Sequence, residues 1–196
     1  MNRGERELRI IGGQFRGRKL TFPAAPGLRP TPDRVRETLF NWLQSPLAGG
    51  RCLDLFAGSG ALGLEALSRG AAAVTFVEAN AAAVRELRAT LVRFGVGDAA
   101  EVQATTAERF LQTPGAAFDV VFLDPPFASG LLPTTAAALE RGAFVASGAF
   151  VYIETAASVP LPQLPPTWQP HRSGKAGEVG YHLLRRAPRA TAMDPT

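Results

Sequence analysis

Ten residues restrict this chain more than any others: Asp54-Leu55-Phe56-Ala57-Gly58-Ser59-Gly60-Ala61-Leu62-Gly63. An apolar run, Cys52 to Ala57, enters a turn built on Gly58 and Gly60, and Ala61 to Arg69 continues as a helix. Strand, glycine turn and helix open a βαβ unit, and glycine lets the backbone turn sharply and a ligand approach where a side chain would collide. Gly58, Gly60 and Gly63 satisfy G-x-G-x-x-G, and Glu78 follows Gly58 by twenty positions at the end of the next strand, Val74 to Glu78. An acidic group so placed can accept both hydroxyls of a ribose. Asp54 sets this turn apart from a dinucleotide site, because a pyrophosphate resting on helix-terminal N–H groups disfavours a neighbouring carboxylate. It suits a ligand bearing an ammonium and a sulfonium, namely S-adenosyl-L-methionine. A nicotinamide oxidoreductase would account for the glycines but not for Asp54.

The same alternation runs on. Ala81 to Phe94 is expected as a helix ending near Gly95, Glu101 to Ala104 as a strand, Ala107 to Gln112 as a helix, Phe118 to Leu123 as a strand and Leu131 to Arg141 as a helix. Gly148 to Glu154 reads as a strand, Ala157 to Pro170 with its five prolines as an irregular connection, and Val179 to Arg185 as the last strand. Apolar strands alternating with helices imply an α/β fold, a parallel sheet covered on both faces. With 196 residues, 46% of them hydrophobic, one such domain with a small extension is the natural size. No run of apolar residues is long enough to span a membrane and the start lacks a signal peptide's apolar core, so a cytoplasmic protein is expected. Cys52 with His171 and His182 is too small a set for a zinc site of ordinary spacing, so neither metal nor disulfide chemistry is expected. Cys52 reads as a buried small apolar residue.

Asp124-Pro125-Pro126-Phe127 follows the strand Phe118 to Leu123 and should face the same crevice as Gly58, because open parallel sheets bind ligands at their carboxyl ends. Two prolines stiffen the backbone and remove two N–H donors, leaving carbonyls and the Asp124 carboxylate as a cluster of acceptors. Such a cluster holds an amino group. Accepting both hydrogens of a base's exocyclic amine would aim the nitrogen lone pair at an incoming methyl, and Phe127 offers a face for the base to stack on.

The net charge of +4 is unevenly spread. Residues 1–50 carry +5, residues 51–170 carry −4 and residues 171–196 carry +3. An acidic centre with basic ends directs a polyanion to the ends. Leu8 to Gly13 and Arg18 to Pro23 form a hairpin pattern expected to present Arg16, Arg18 and Lys19 outward as an RNA arm. Thr31 is expected to cap a helix with Pro32 at its first position. Val35, Leu39, Trp42 and Leu43 would form its apolar face, and Arg34, Glu37 and Asn41 its polar one.

Taken in order, Asp54 to Gly60, Glu78 and Asp124 to Phe127 resemble the class I, seven-stranded S-adenosylmethionine-dependent methyltransferases that modify exocyclic amines, a Rossmann-like fold. Arg9 to Leu20 and Gly27 to Leu43 are similar to the amino-terminal segment of the bacterial enzymes that methylate guanine N2 in 16S (small-subunit) ribosomal RNA. The resemblance spans Leu8 to Arg186. It implies a hairpin-and-helix extension over residues 1–48, a methyltransferase domain over 49–186, and a disordered tail over 187–196. It also implies that Asp54, Phe56, Gly58, Ser59 and Gly60 meet the methionine end of the cofactor, that Glu78 binds the ribose, and that Asp124, Pro125, Pro126 and Phe127 receive the target amine and base. Thr31, Arg34 and Glu37 would lie beside the cleft. Thr106 stands where related enzymes often carry Asp or Asn toward the adenine. The expected partner is ribosomal RNA, free or in a small subunit or its assembly intermediate, and the chain is expected to be a monomer. Two alternatives compete: an N6-adenine methyltransferase on nucleic acid, and an inactive RNA-binding protein with a relic cofactor fold.

Overall fold

The computed structural model describes residues 5–23, 31–126 and 129–188. Most of the tail expected to be disordered lies outside these residues. The chain begins with an antiparallel hairpin, β1 (Glu5–Arg9) and β2 (Lys19–Pro23), followed by α1 (Asp33–Trp42) and the short α2 (Gln44–Leu47). β3 (Arg51–Asp54), α3 (Ala61–Ser68), β4 (Ala73–Val77), α4 (Ala81–Phe94), β5 (Ala100–Gln103), α5 (Ala107–Phe110), β6 (Phe118–Leu123), α6 (Leu131–Arg141) and β7 (Val145–Ala156) then alternate, and β8 (Trp168–Ala176) and β9 (Val179–Arg186) close the sheet. The seven strands lie in the order β5-β4-β3-β6-β7-β9-β8, with β3 to β7 parallel and β9 antiparallel to both its neighbours.

Alternation along the strands divides the core in two. Cys52, Phe76, Phe122, Tyr152 and Leu183 pack with Val35, Leu39 and Phe40 of α1, Leu64 of α3 and Leu87 of α4. Leu53, Val121, Leu123, Val151 and Ile153 pack on the other side with Leu132, Ala136 and Leu139 of α6. The strand order turns back between β3 and β6, and the crevice above their carboxyl ends is where such sheets take ligands.

Strand β8 corrects the sequence reading, which had no element between Pro170 and Val179. Most of its side chains are exposed, as suits a sheet edge, and Pro170 sits where the register with β9 shifts. An edge strand needs no apolar alternation to form. Its first end is fastened instead: Glu140 on α6 accepts from the Trp168 indole at 2.9 Å and pairs at 2.7 Å with Arg186, the β9 residue opposite Trp168.

The hairpin is also not a free arm. Ile10, Phe15 and Leu20 are buried in the same core as the sheet, and the Phe15 ring lies 5.3 Å from that of Phe94. The connection between β1 and β2 includes a 3-10 turn, Gly13–Phe15, laid against α3. Gly13 has φ +74°, and a Cβ there would stand 1.8 Å from the Ser68 carbonyl oxygen. The side chain of Glu65, fully buried, accepts the N–H groups of Ile11 and Gly12 at 2.8 Å each and pairs with Arg69 at 2.7 Å and Arg36 at 3.7 Å. Phe15 donates its N–H to Ser68 Oγ at 2.8 Å. The hairpin is thereby tied to the helix that the glycine turn begins.

Candidate active site

Four neighbouring parallel strands each carry an apolar residue followed by an acid at or near their carboxyl ends: Val77-Glu78, Leu53-Asp54, Leu123-Asp124 and Ile153-Glu154. The register aligns Phe76, Asp54, Phe122 and Tyr152 across the sheet. Two residues further along three of those strands stand Glu78, Asp124 and Glu154, on the same face by the alternation of side chains. Asp54 thus lies one pleat below the other three acids, on the side covered by α1 and α3. Among the described residues, no Arg or Lys forms an ion pair with any of the four.

Asp54 is 3% exposed, and its Oδ2 accepts the Gly63 N–H of α3 at 3.0 Å. Burial pushes its carboxyl up to about 7; the Glu78 charge adds to the rise and the Gly63 N–H opposes it. Gly58 and Gly60 have φ of 52° and 74°, and a Cβ at Gly60 would lie 2.4 Å from Leu87 Cδ1, so the turn needs glycine both for its conformation and for its packing. Half-buried Glu78 holds this turn, accepting the Gly58 N–H at 2.8 Å through Oε2 and the Asn80 N–H at 2.6 Å through Oε1. Asn80 in turn caps α4. Phe56 packs on the α6 side of the core, and Ser59 is half-buried in the turn.

Asp124 follows β6 directly and is half-buried, with Pro125 buried behind it and Pro126 exposed. Loss of solvent, then the charges of Glu154 and Asp54, hold its carboxyl well above the usual carboxylate range. Phe127 lies outside the described residues. Beside the tetrapeptide opens a cleft of about 240 Å³ whose lining includes Pro125, Pro126, Leu131, Leu132, Glu154 and Pro160.

Several expected site residues are placed differently. Thr31 does not cap α1: it is buried, and its hydroxyl donates to Glu154 Oε1 at 2.6 Å. A charge-assisted bond donated to a buried carboxyl outweighs accepting a neutral N–H of the helix's first turn. Arg18 does not point outward either. Its guanidinium lies 4.0 Å from the centre of the Phe94 ring and donates to the Arg93 carbonyl. Lys19 is exposed, as expected, and pairs with Glu7 at 3.0 Å. Arg16, Arg34 and Glu37 are exposed. Thr106 caps α5 by accepting the Arg109 N–H at 3.3 Å. Cys52 is buried, and burial first, with nearby Asp119 and Asp54, pushes its thiol up to about 12, far from reactive.

Sequence reasoning missed Glu154, which accepts Thr31 and, at 2.9 Å, the Tyr152 hydroxyl. The repeated apolar-then-acid strand ending was the signal that could have found it. Among the described residues no helix is long and apolar enough to cross a membrane, and no group of three or more His, Cys, Asp or Glu is arranged to hold a metal.

Four carboxyls with no paired cation among the described residues form an acceptor set that fits a ligand bearing two cationic groups, and the positive-φ glycines Gly58 and Gly60 let it approach the backbone. Comparison with known proteins agrees. Residues 8–185 match the family model described as conserved hypothetical protein 95. The chain is 49% identical over 183 residues to ribosomal RNA small subunit methyltransferase D of Escherichia coli K12, covering 93% of this chain and 92% of that one. The Haemophilus influenzae protein of the same name is 43% identical over 182 residues, covering 91% and 94%. The solved structure of Escherichia coli yhhF superposes with a TM-score of 0.86 at 46% identity, over 92% of this chain and 98% of that one. A Salinibacter ruber RNA methyltransferase in complex with S-adenosyl-L-homocysteine shares the fold at a TM-score of 0.61 and 18% identity, over 85% and 98%.

Proposed function

The chain belongs to the conserved hypothetical protein 95 family, and from that premise we propose that it is a methyltransferase acting on the exocyclic N2 of a guanine in small-subunit ribosomal RNA. The observation that carries this reading is the row of Glu78, Asp54 and Asp124 at the carboxyl ends of β4, β3 and β6, combined with near-full-length similarity to named small-subunit ribosomal RNA methyltransferases. S-adenosyl-L-methionine supplies an activated methyl on a sulfonium. Asp54 and the Gly58 to Gly60 turn hold its methionine end, Glu78 its ribose hydroxyls. Thr106 at the start of α5 borders the adenine. Asp124 and the Pro125 carbonyl accept the two amine hydrogens and so aim the nitrogen lone pair at the methyl. The contribution is positioning and electrostatics rather than strong-base chemistry. The protein acts as a monomer in the cytoplasm, on ribosomal RNA, free or in a small subunit or its assembly intermediate.

Glu78→Ala is expected to weaken S-adenosyl-L-methionine binding by about 1–3 kcal/mol, because it leaves ribose hydroxyls unpaired and frees the Gly58 N–H. Calorimetry with the intact chain reads this directly; unchanged affinity removes Glu78 from the cofactor site. NAD is expected not to bind.

RNA is gripped at phosphates by the exposed cations near the cleft and hairpin. Arg16 and Arg34 are free to do this, whereas Arg18 is committed to Phe94. Arg16→Ala with Arg34→Ala should flatten the salt dependence of RNA binding by roughly 0.7 in log–log slope for each single-strand phosphate that the variant no longer neutralises. Cofactor affinity should not move. An unaltered slope in filter-binding titrations would mean that neither residue meets the RNA.

A further inference from the structure

Glu154 is a buried acid to which the proposed transfer gives no part. It is 4% exposed, and the hydroxyls of Thr31 and Tyr152 both donate to its Oε1. Because Leu123 lies opposite Ile153 in the parallel pair β6 and β7, Asp124 and Glu154 are the next residues in line on strands about 4.8 Å apart, on one face of the sheet. The groups that bear on the pair come from every strand around it: Asp54 on β3 with Glu78 beyond it, Tyr152 on β7 and Tyr181 on β9. From α1 comes the neutral Thr31 hydroxyl. All the titratable groups among them are acids. Two carboxyls so placed, with no cation paired to them among the described residues, titrate as a pair rather than singly.

We propose that Glu154 is a positioning residue acting through Asp124: in the empty cleft the two carboxyls hold one proton between them, and they release it when the cationic methyl donor binds. This rests on the methyltransferase reading above. Burial raises the Glu154 carboxyl above its ordinary value and the two hydroxyls donating to it oppose that rise, whereas burial and then the Glu154 and Asp54 charges hold Asp124 well above the usual range, so the shared proton is held mainly at Asp124. A sulfonium and an ammonium nearby reverse the local field and free Asp124 to accept from the amine. During transfer the amine lone pair forms the new bond to carbon while the carbon–sulfur bond breaks with its electrons on sulfur. The surplus proton on nitrogen passes to the pair, which ends the turnover holding one proton, as it began.

Titration calorimetry on the intact chain at pH 7, in buffers of different ionisation enthalpy, counts the protons released. Binding of S-adenosyl-L-methionine should release protons, and more than binding of S-adenosyl-L-homocysteine, whose sulfur is neutral. Glu154→Gln, which keeps an acceptor for Thr31 and Tyr152, should release clearly fewer, the remainder belonging to Asp54. Equal release by the parent and Glu154→Gln, or equal release with the two ligands on the parent alone, overturns the pair. Should the variant not fold, the comparison of ligands on the parent still decides. Failure of S-adenosyl-L-methionine to bind at all is a different result and overturns the proposed function itself. In single-turnover methyl transfer, Glu154→Gln should move the acid limb of the pH profile to lower pH, because losing a like charge eases the ionisation of Asp124. A purely structural role would depress the rate at every pH and leave the limb in place.

Discussion

Asp124→Ala is expected to lower single-turnover methyl transfer by about 10²–10³, the usual cost of removing one preorganised electrostatic partner. The variant deletes one of two acceptors aimed at the amine. It leaves the glycine turn, Glu78 and the docked hairpin in place, so the affinities for S-adenosyl-L-methionine and RNA should survive. Stability should survive as well. A group whose folded-state carboxyl is raised above its unfolded value contributes stability below the unfolded value and loses it as pH rises through the folded one. At neutral pH the Asp124 carboxyl is therefore a burden on the empty protein, and its removal does not weaken the fold. Asp124→Asn keeps the shape and an acceptor oxygen without the charge, and partial activity is expected. Parent-rate transfer by Asp124→Ala would sink the acceptor-cluster mechanism.

Glu65→Ala is expected to destabilise the protein by about 3–5 kcal/mol, the scale seen when one partner of a buried ion pair is removed. Arg36 has no exposed surface, and its remaining neighbours are the Asp33 carboxylate at 2.6 Å and the Arg9 carbonyl at 2.9 Å. Without Glu65, Arg36 stays buried with less compensation, Arg69 loses its pair, and the N–H groups of Ile11 and Gly12 lose their acceptor. The hairpin should loosen first, because these bonds and Phe15 fasten it to α3. Chemical denaturation would show the loss in midpoint, and limited proteolysis would show early cleavage near Arg16 and Arg18. An unchanged midpoint with a protected hairpin would mean that packing of Ile10, Phe15 and Leu20 alone holds it. Since Gly60 caps the start of α3, a loosened hairpin should also weaken cofactor binding.

What the sequence revealed, and what it hid, follows from the range of each interaction. The strand, glycine turn and helix around Gly58, the acid ending β4 and the tetrapeptide after β6 are local patterns, and reading along the chain finds them. The bond from Thr31 to Glu154 joins residues 123 positions apart, so Thr31 looked like a cap, the only partner its neighbours offered. Arg18 looked outward for the same reason, since alternation within a hairpin carries no information about Phe94 on α4. Nothing local to Arg36 or Glu65 singles out either residue, yet each neutralises the other inside the core. Strand β8 escaped because its stability comes from pairing with β9 and from the Trp168 and Arg186 contacts to Glu140, none of which leaves an apolar stripe in residues 168–176. The fold class and three of the four clustered acids were legible. The fourth, Glu154, and the anchoring of the hairpin were not.

Whether the methyl group goes to guanine N2 is decided by identifying the modified nucleoside. Small-subunit ribosomal RNA, free and as assembled particles from cells lacking this protein, is incubated with the intact chain and methyl-labelled S-adenosyl-L-methionine, digested, and resolved by mass spectrometry. Label is expected in N2-methylguanosine at a single site, and absent with Asp124→Ala. Label in N6-methyladenosine, or none in any substrate while the cofactor still binds, would refute the assignment.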